Sequence, residues 1–391
     1  MSAATRVRRG LATRGGVRTL VAVVAGALLP ALLLASTTGC DRDSENDGGG
    51  RPRVTMYVSA DDAVGRDVLR ACTEATGVEV VPVFDTEATK SAGLERRVID
   101  EALRPRADLF WSSEGFAPVR LAALDLLDRL PDDVVAAWPA RHVDPAGRWI
   151  AFAARARVVV ARQGTPPPPG AWSGFAEPGL ARGSRAAVAI ADPRFGTTRG
   201  HLAALAESWG GRTSGVDGSS ISVLEPWLAG LRANGVLVLP GGNAATVDAV
   251  RAGEVAYGFT DSDDALAAIA RGAPLAMWLP RTHPEGVSGG GTMIVPNTLA
   301  VVRGGPADRA VVDRVVRWFA SGAPEEILCR SASRNLPLVV ATDCDPGFAE
   351  PDPLEFGLIA AASDADRLAV EAKRLLEGRG EPRSNVGSRS P

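Results

Sequence analysis

Histidine is scarce in this sequence, with three in 391 residues, and tyrosine is scarcer, with two. His142 and His283 fall in loop-like stretches, His201 reads as structural, and none stands beside a nucleophile it could activate. The patterns Gly-x-Ser-x-Gly, His-Glu-x-x-His and Gly-x-x-x-x-Gly-Lys are all missing, which removes the usual signatures of serine hydrolases, zinc peptidases and phosphate loops. An enzyme is therefore not expected. A formal net charge of -3 gives no electrostatic reason to expect a nucleic-acid partner. Only four cysteines occur, with no spacing that suggests zinc.

What is present begins with a leader. Arg6, Arg8, Arg9, Arg14 and Arg18 precede an apolar run from Leu20 to Leu34, and then Ala35-Ser-Thr-Thr-Gly-Cys40. That order is a secretory signal, and the small residues before Cys40 resemble a bacterial lipoprotein processing site, although Thr37 stands where an aliphatic residue is usual. The alternative is an uncleaved membrane anchor, since the run is nearly long enough to span. Pro30 and the abrupt change to Asp41-Arg-Asp-Ser-Glu-Asn favour cleavage. Residues 1–39 are thus expected to be a signal peptide, Cys40 the lipidated first mature residue, and 40–53 a flexible tether. Such a protein is exported and held at a membrane surface. In that oxidising setting Cys329 and Cys344 can form a disulfide, whereas Cys72 sits in a helical pattern as a small buried residue.

The mature chain alternates strands and helices. Val54 to Ser59, Val78 to Phe84 and Ala107 to Trp111 each read as a strand that runs into a polar turn and then a helix. Three such units predict a parallel sheet with its polar turns along one edge. A longer extended run, Trp149 to Val160, carries Arg155 and Arg157 on one face. A second α/β set follows with strands at 186–191, 236–239, 255–259 and 275–279. A late strand-like stretch then occupies 291–302. Two α/β halves with an extended crossover and a late return give two lobes around a cleft. The expected bounds are 54–155 plus 295–376 for the first lobe and 156–294 for the second, with 377–391 a disordered tail.

The turn after Val255 to Phe259 carries Asp261, Asp263 and Asp264, where a strand's carboxyl end meets a helix start. Such junctions hold ligands in open α/β sheets, because backbone N–H groups there lack partners. The competing reading is that Asp261 is an N-cap and the other two complement the helix dipole. The analogous turns add Ser59, Asp61, Glu87, Trp111, Ser113 and Glu114 from the first lobe. They add Thr197, Thr198 and Asn243 from the second, with Arg155 from the crossover. Converging carboxylates repel and require a positive partner. That partner is a hard metal ion on oxygen ligands, with Asp263 and Asp264 the candidate metal ligands, or an organic cation with Trp111 as a cation–π wall. Trp111 can equally be core. The Gly196-Thr-Thr-Arg-Gly turn suits an anion, so a zwitterion or a metal carried with an anion would use both features.

Several stretches together resemble the substrate-binding proteins of bacterial ABC importers, in the branch that includes the ferric-ion-binding proteins. They are Tyr-Val-Ser-Ala-Asp (57–61), Phe-Asp-Thr-Glu-Ala-Thr-Lys (84–90), Ala-Asp-Leu-Phe-Trp (107–111), Ala-Arg-Ala-Arg-Val (154–158), Ala-Asp-Pro-Arg-Phe-Gly-Thr-Thr (191–198), Thr-Asp-Ser-Asp-Asp-Ala (260–265) and Ile-Val-Pro-Asn-Thr (294–298). The resemblance implies an α/β, two-lobed type II periplasmic-binding-protein fold with a hinge and a central cleft. It also implies a monomer that delivers a small solute to an ABC permease in the membrane, with no cofactor beyond a metal carried as cargo. Those relatives hold iron with two adjacent tyrosines where Asp263 and Asp264 stand here, and Tyr57 and Tyr257 are too far apart in sequence to form such a pair. The histidine they use near the end of the first strand is missing here, with Asp61 or Asp62 in its neighbourhood. A ligand-sensing protein that reports to a membrane receptor, or an exported enzyme on the same scaffold, are the alternative readings.

Overall fold

The computed structural model describes residues 51–60, 62–85, 92–180, 186–194, 196–210, 221–287, 290–340, 342–348, 352–354 and 356–378. The leader, Cys40, Asp61, Glu87 and the tail after 378 lie outside them.

The first lobe begins with β1 (Arg53–Val58), α1 (Asp62–Thr76), β2 (Glu79–Phe84), α2 (Ala92–Asp100) and β3 (Leu109–Ser112), followed by α3 (Phe116–Ala123), β4 (Leu127–Asp128) and α4 (Asp132–Ala137). β1 pairs parallel with both β2 and β3, as the strand–turn–helix repeats require. β5 (Trp149–Arg162) is a 14-residue strand whose Ala- and Val-rich sequence is buried at every position except Arg162. The second lobe contains β6 (Ala186–Ala191), α5 (Gly196–Gly210), α6 (Ile221–Ala233), β7 (Leu237–Leu239), α7 (Asn243–Ala252), β8 (Val255–Asp261), α8 (Ser262–Ala270) and β9 (Leu275–Trp278). The chain returns on β10 (Ile294–Val302), then forms α9 (Arg309–Phe319), α10 (Ala323–Arg330) and α11 (Leu358–Leu376).

One sheet of ten strands runs in the order β2-β1-β3-β10-β5-β8-β6-β7, with β4 added on β10 and β9 on β5. β5 is shared by both lobes. Its first part, through Ala156, pairs antiparallel with β10, and from Arg157 onward it pairs with β8 and β9. The ladder shifts register between Pro296 and Asn297, opposite Ala153. Ala153 has φ +37, a conformation uncommon for a residue with a Cβ and held here by its surroundings.

Two apolar layers fill the first lobe. Beneath its sheet, Trp111, Phe152 and Phe319 form a triangle with ring centroids 5.4 to 5.6 Å apart and tilted or edge-on faces, the geometry aromatic quadrupoles favour. The other layer continues without a break from Phe110 and Phe116 to Leu202, Trp227 and Phe259 of the second lobe, and to Leu368 and Ala372 of α11. α11, placed by sequence with the first lobe, lies against α5 and α6 of the second as well as α3 of the first. It is a shared element, because its buried stripe (Ala361, Ala365, Leu368, Ala372, Leu376) has apolar neighbours in both halves. Cys329 and Cys344 are disulfide-bonded. Cys72 is buried, and its thiol is pushed up to about 12 by that burial.

Candidate ligand-binding cleft

Asp261 closes β8 and stands at the N-cap of α8, yet its side chain makes no capping bond. It turns instead toward β5. Its Oδ1 accepts from Arg157 Nη1 at 2.9 Å, and its Oδ2 accepts from Arg155 Nε (3.1 Å), Thr197 Oγ1 (2.6 Å) and Asn243 Nδ2 (2.8 Å). The alternation of Arg155 and Arg157 on one strand face brings both guanidiniums to this single carboxylate. Burial by itself would raise the Asp261 carboxyl, but Arg157, Arg155 and the Thr197 hydroxyl outweigh it and hold the group below the usual carboxylate range.

Arg157 is wholly buried and serves as the second centre of this network. It donates to Asn243 Oδ1 (2.9 Å), Thr198 Oγ1 (3.1 Å), Thr197 Oγ1 (3.4 Å) and, through Nε, His201 Nδ1 (3.4 Å). His201 is also fully buried, against Trp172. Burial and then Arg157 hold its imidazole well below its ordinary pKa, so it is neutral. The three helices that supply Thr197, Asn243 and Asp263 thus start from one interlocked polar bed. Gly196 opens α5 at φ +53, a left-handed turn that glycine adopts without Cβ strain.

A hollow of about 830 Å3, counting the solvent at its mouth, lies over this bed. From the second lobe and the crossover it is lined by Arg155, Thr197, Thr198, Asn243, Asp261, Asp263 and Asp264, and from the first by Ser59 and Ser113. These nine are sequence candidates that the fold brings together. Carboxylate oxygens of Asp261, Asp263 and Asp264 lie within 4.8 Å of one another. Arg155 Nε approaches Asp263 Oδ2 at 3.5 Å. Its guanidinium is held above even its ordinary high pKa, because Asp263 and Asp261 more than offset its burial. Three carboxylates and two arginines thus meet at the floor of the cleft, with Asp263 and Asp264 on its lining.

Two candidates are corrected. Trp111 does not face the hollow: its ring belongs to the aromatic triangle and its Nε1 donates to Asn297 Oδ1 at 3.0 Å. β3 is covered on both faces, with Phe110 in one apolar layer and Trp111 in the other, so only the turn after the strand reaches the hollow. Glu114 is turned into the helix it precedes. It accepts from Phe116 N (2.6 Å) and Ala117 N (2.9 Å), and lies 3.5 Å from both Arg120 and Arg199. Asp261 lines the hollow but commits its oxygens to the bed. The cleft also contains residues the sequence reading did not nominate: Asn297 on β10, Ser333 and Asn335 after α10, Asp192 after β6, and Gly241-Gly242 before α7. Asp192 is paired with Arg194 and Lys373 at 2.8 Å each. The tyrosines are elsewhere, with Tyr57 donating to Glu101 and Tyr257 to the Pro166 carbonyl.

Residues 54–307 match the family described as bacterial extracellular solute-binding protein. The chain belongs to that family. It is a solute-binding protein and not an enzyme, with the α/β two-lobed fold, hinge and central cleft that the sequence led us to expect. Iron-bound HitA from Pseudomonas aeruginosa has a similar structure, at 20% identity and a TM-score of 0.67 over 82% of this chain and 99% of that one. The Trichodesmium protein IdiA (FutA), solved with iron and citrate, superposes with a TM-score of 0.65 at 18% identity over 84% of this chain and 99% of that one. A local match at 30% identity over 109 residues relates the chain to the major ferric iron-binding protein of Neisseria gonorrhoeae, covering 27% of this chain. That match spans about a third (32%) of the curated relative's length. Among the described residues no helix is long and apolar enough to cross a membrane.

Proposed function

We propose that the protein is the solute-capturing component of an ABC importer, anchored outside the cytoplasmic membrane through lipid on Cys40, and that its interlobe cleft takes a small solute bearing positive charge. The observation that carries this reading is the placement of Asp263 and Asp264 over a saturated Arg155–Asp261–Arg157 bed, beneath an opening that both lobes line. The bed fixes the floor before the solute arrives, and Asp263 and Asp264, which line the hollow, add negative charge there. A hard cation such as ferric iron, carried with an oxygen-rich chelator, uses these carboxylates together with Arg155, whose Nη groups make no hydrogen bond among the described residues. A small organic cation is the second reading, favoured by a lining without tyrosine among the described residues.

Transport function means capture and hinge closure, not bond chemistry. β5 and β10 are the two strands that pass between the lobes, and the Ala153 bulge lies on that passage. The test is calorimetric titration of the protein from residue 51 onward with ferric citrate, ferric nitrilotriacetate and metal-free citrate. Binding by the wild type that is lost in Asp263→Asn/Asp264→Asn supports the reading. Undiminished binding by that variant would remove the site.

A further inference from the structure

Ser333 and Asn335 enter the cleft from a segment whose ends are joined by the Cys329–Cys344 disulfide. That segment is fixed with unusual thoroughness to the strand passing between the lobes. The carboxylate of Glu325, itself fully buried, accepts from the N–H groups of Ala153 (2.8 Å), Leu338 (2.9 Å), Val339 (3.1 Å) and Val340 (2.9 Å). Leu336 and Ala154 exchange both backbone bonds, at 2.7 and 2.6 Å. Asn335 Oδ1 accepts from Asn297 Nδ2 at 3.0 Å, and Asn297 in turn accepts from Trp111 and donates to the Ala153 carbonyl. The loop is therefore a rigid wall and not a loose cover.

Against that background two groups stand out. Ser333 and Asn335 are 5% and 3% exposed, yet the Ser333 hydroxyl and the Asn335 amide nitrogen make no hydrogen bond among the described residues. Neither atom is closed off from solvent, and both residues line the hollow that a solute would fill. We propose that Ser333 and Asn335 are solute-contacting residues that set which solute the cleft accepts. The proposal rests on reading this cleft as the solute site and adds a neutral wall to it. Asp263 and Asp264 supply charge from the second lobe, while Ser333 and Asn335 supply uncharged hydrogen bonds from the first. A neutral hydroxyl and amide discriminate by geometry among oxygen-bearing groups, since a mismatch leaves a buried group unpaired. They therefore act on the carboxylate or hydroxyl groups of an organic solute or chelator and contribute little toward a bare ion.

The experiment titrates wild type, Ser333→Ala/Asn335→Ala and Asp263→Asn/Asp264→Asn with ferric citrate and ferric nitrilotriacetate, read by tryptophan fluorescence, with melting temperatures recorded beside them. The expected result for the neutral-wall variant is at least a tenfold loss for ferric citrate and a changed ratio between the two chelates, beside the lower melting temperature that loss of the Asn297–Asn335 bond entails. Unchanged affinities and ratio, with the acidic variant losing both chelates, overturn the neutral wall and leave the cleft reading intact. If the wild type binds neither chelate, the ferric reading fails, and the wall is then judged without a solute. For that purpose Ser333→Cys is treated with methyl methanethiosulfonate. Faster modification of the introduced thiol than of the buried Cys72 supports a wall open to the cleft, and equal or slower modification overturns it.

Discussion

Arg199 of α5 reaches across from the second lobe to place its Nη2 at 3.0 Å from Glu95 Oε2 of the first, with both side chains buried. The same guanidinium lies 3.5 Å from Glu114 and 2.7 Å from Asp366 of the shared helix α11. Glu95 is also held by both ends of the Arg120 fork at 2.6 Å. Arg199 directly follows Thr197-Thr198 in the chain, and Glu114 directly follows Ser113. The residues that line the cleft and those that clasp the lobes are therefore chain neighbours on both sides. This ties the geometry of the hollow to the contact between the lobes.

Arg199→Met should loosen that contact. Glu95 keeps Arg120, so the loss is smaller than for a fully orphaned charge, about 1–3 kcal/mol of stability. The particle should also be more open, with a larger radius of gyration in solution scattering. An unchanged scattering profile together with the full stability loss would show that the clasp is merely structural.

Asp261→Asn tests the polar bed. The amide cannot satisfy Arg155 and Arg157 as the carboxylate does, and leaves a buried guanidinium, that of Arg157, without its ion partner. We expect a loss of about 3–5 kcal/mol in denaturant unfolding. Adding Arg157→Met should recover part of it, because the uncompensated charge is then gone. A double variant no more stable than Asp261→Asn would mean the pair is not the source of the effect.

His201 gives the protein a pH dependence of definite sign. Its native pKa lies well below the ordinary value of 6.5 because of burial and Arg157, while an unfolded chain titrates near that ordinary value. Above it both states are neutral and the residue contributes no slope. As pH falls below about 6.5 the unfolded state takes up a proton that the native state refuses. Stability then drops, with a slope approaching about 1.4 kcal/mol per pH unit. Unfolding free energies of wild type and His201→Gln between pH 7 and pH 5 measure this, and the variant should be flatter. His142, lowered by burial and Arg141, adds a slope of the same sign, so both proteins should carry His142→Gln.

Much of the fold was legible because it is written in short-range patterns. Apolar runs of strand length followed by polar turns located β1, β3, β6 and β8, and the alternation at Arg155 and Arg157 put both guanidiniums on one face. The acidic turn at 261–264 was recognisable for the same reason. What the sequence could not distinguish is which polar residue meets a ligand and which meets another residue. Asp261 and Glu114 look alike as carboxylates at strand ends, yet one anchors two arginines and the other accepts helix N–H groups. Trp111 lies only two residues before the cleft-lining Ser113, yet it is inside a strand that is covered on both faces. Ser333 and Asn335 lie in a stretch without periodicity, and their place depends on Glu325, Asn297 and Ala153, more than a hundred residues away in the last case.

Gly200 offers a steric test of how closely the lobes are set. A Cβ at this position would stand 2.5 Å from Phe116 Cε2 and 2.7 Å from its Cδ2. Phe116 opens α3 and is buried in the layer common to both lobes, so its ring has little room to withdraw. Gly200→Ala normally favours a helix by about 1 kcal/mol, and here the clash should reverse that sign. We expect a net destabilisation of about 1–3 kcal/mol, accompanied by weaker solute binding as α5 and α3 separate beside Thr198 and Ser113. Phe116→Leu in the Gly200→Ala background removes the ring edge and should restore much of the stability. If Gly200→Ala is instead more stable than wild type, then α5 and α3 do not meet in solution as they do here, and the tight interlobe contact is wrong.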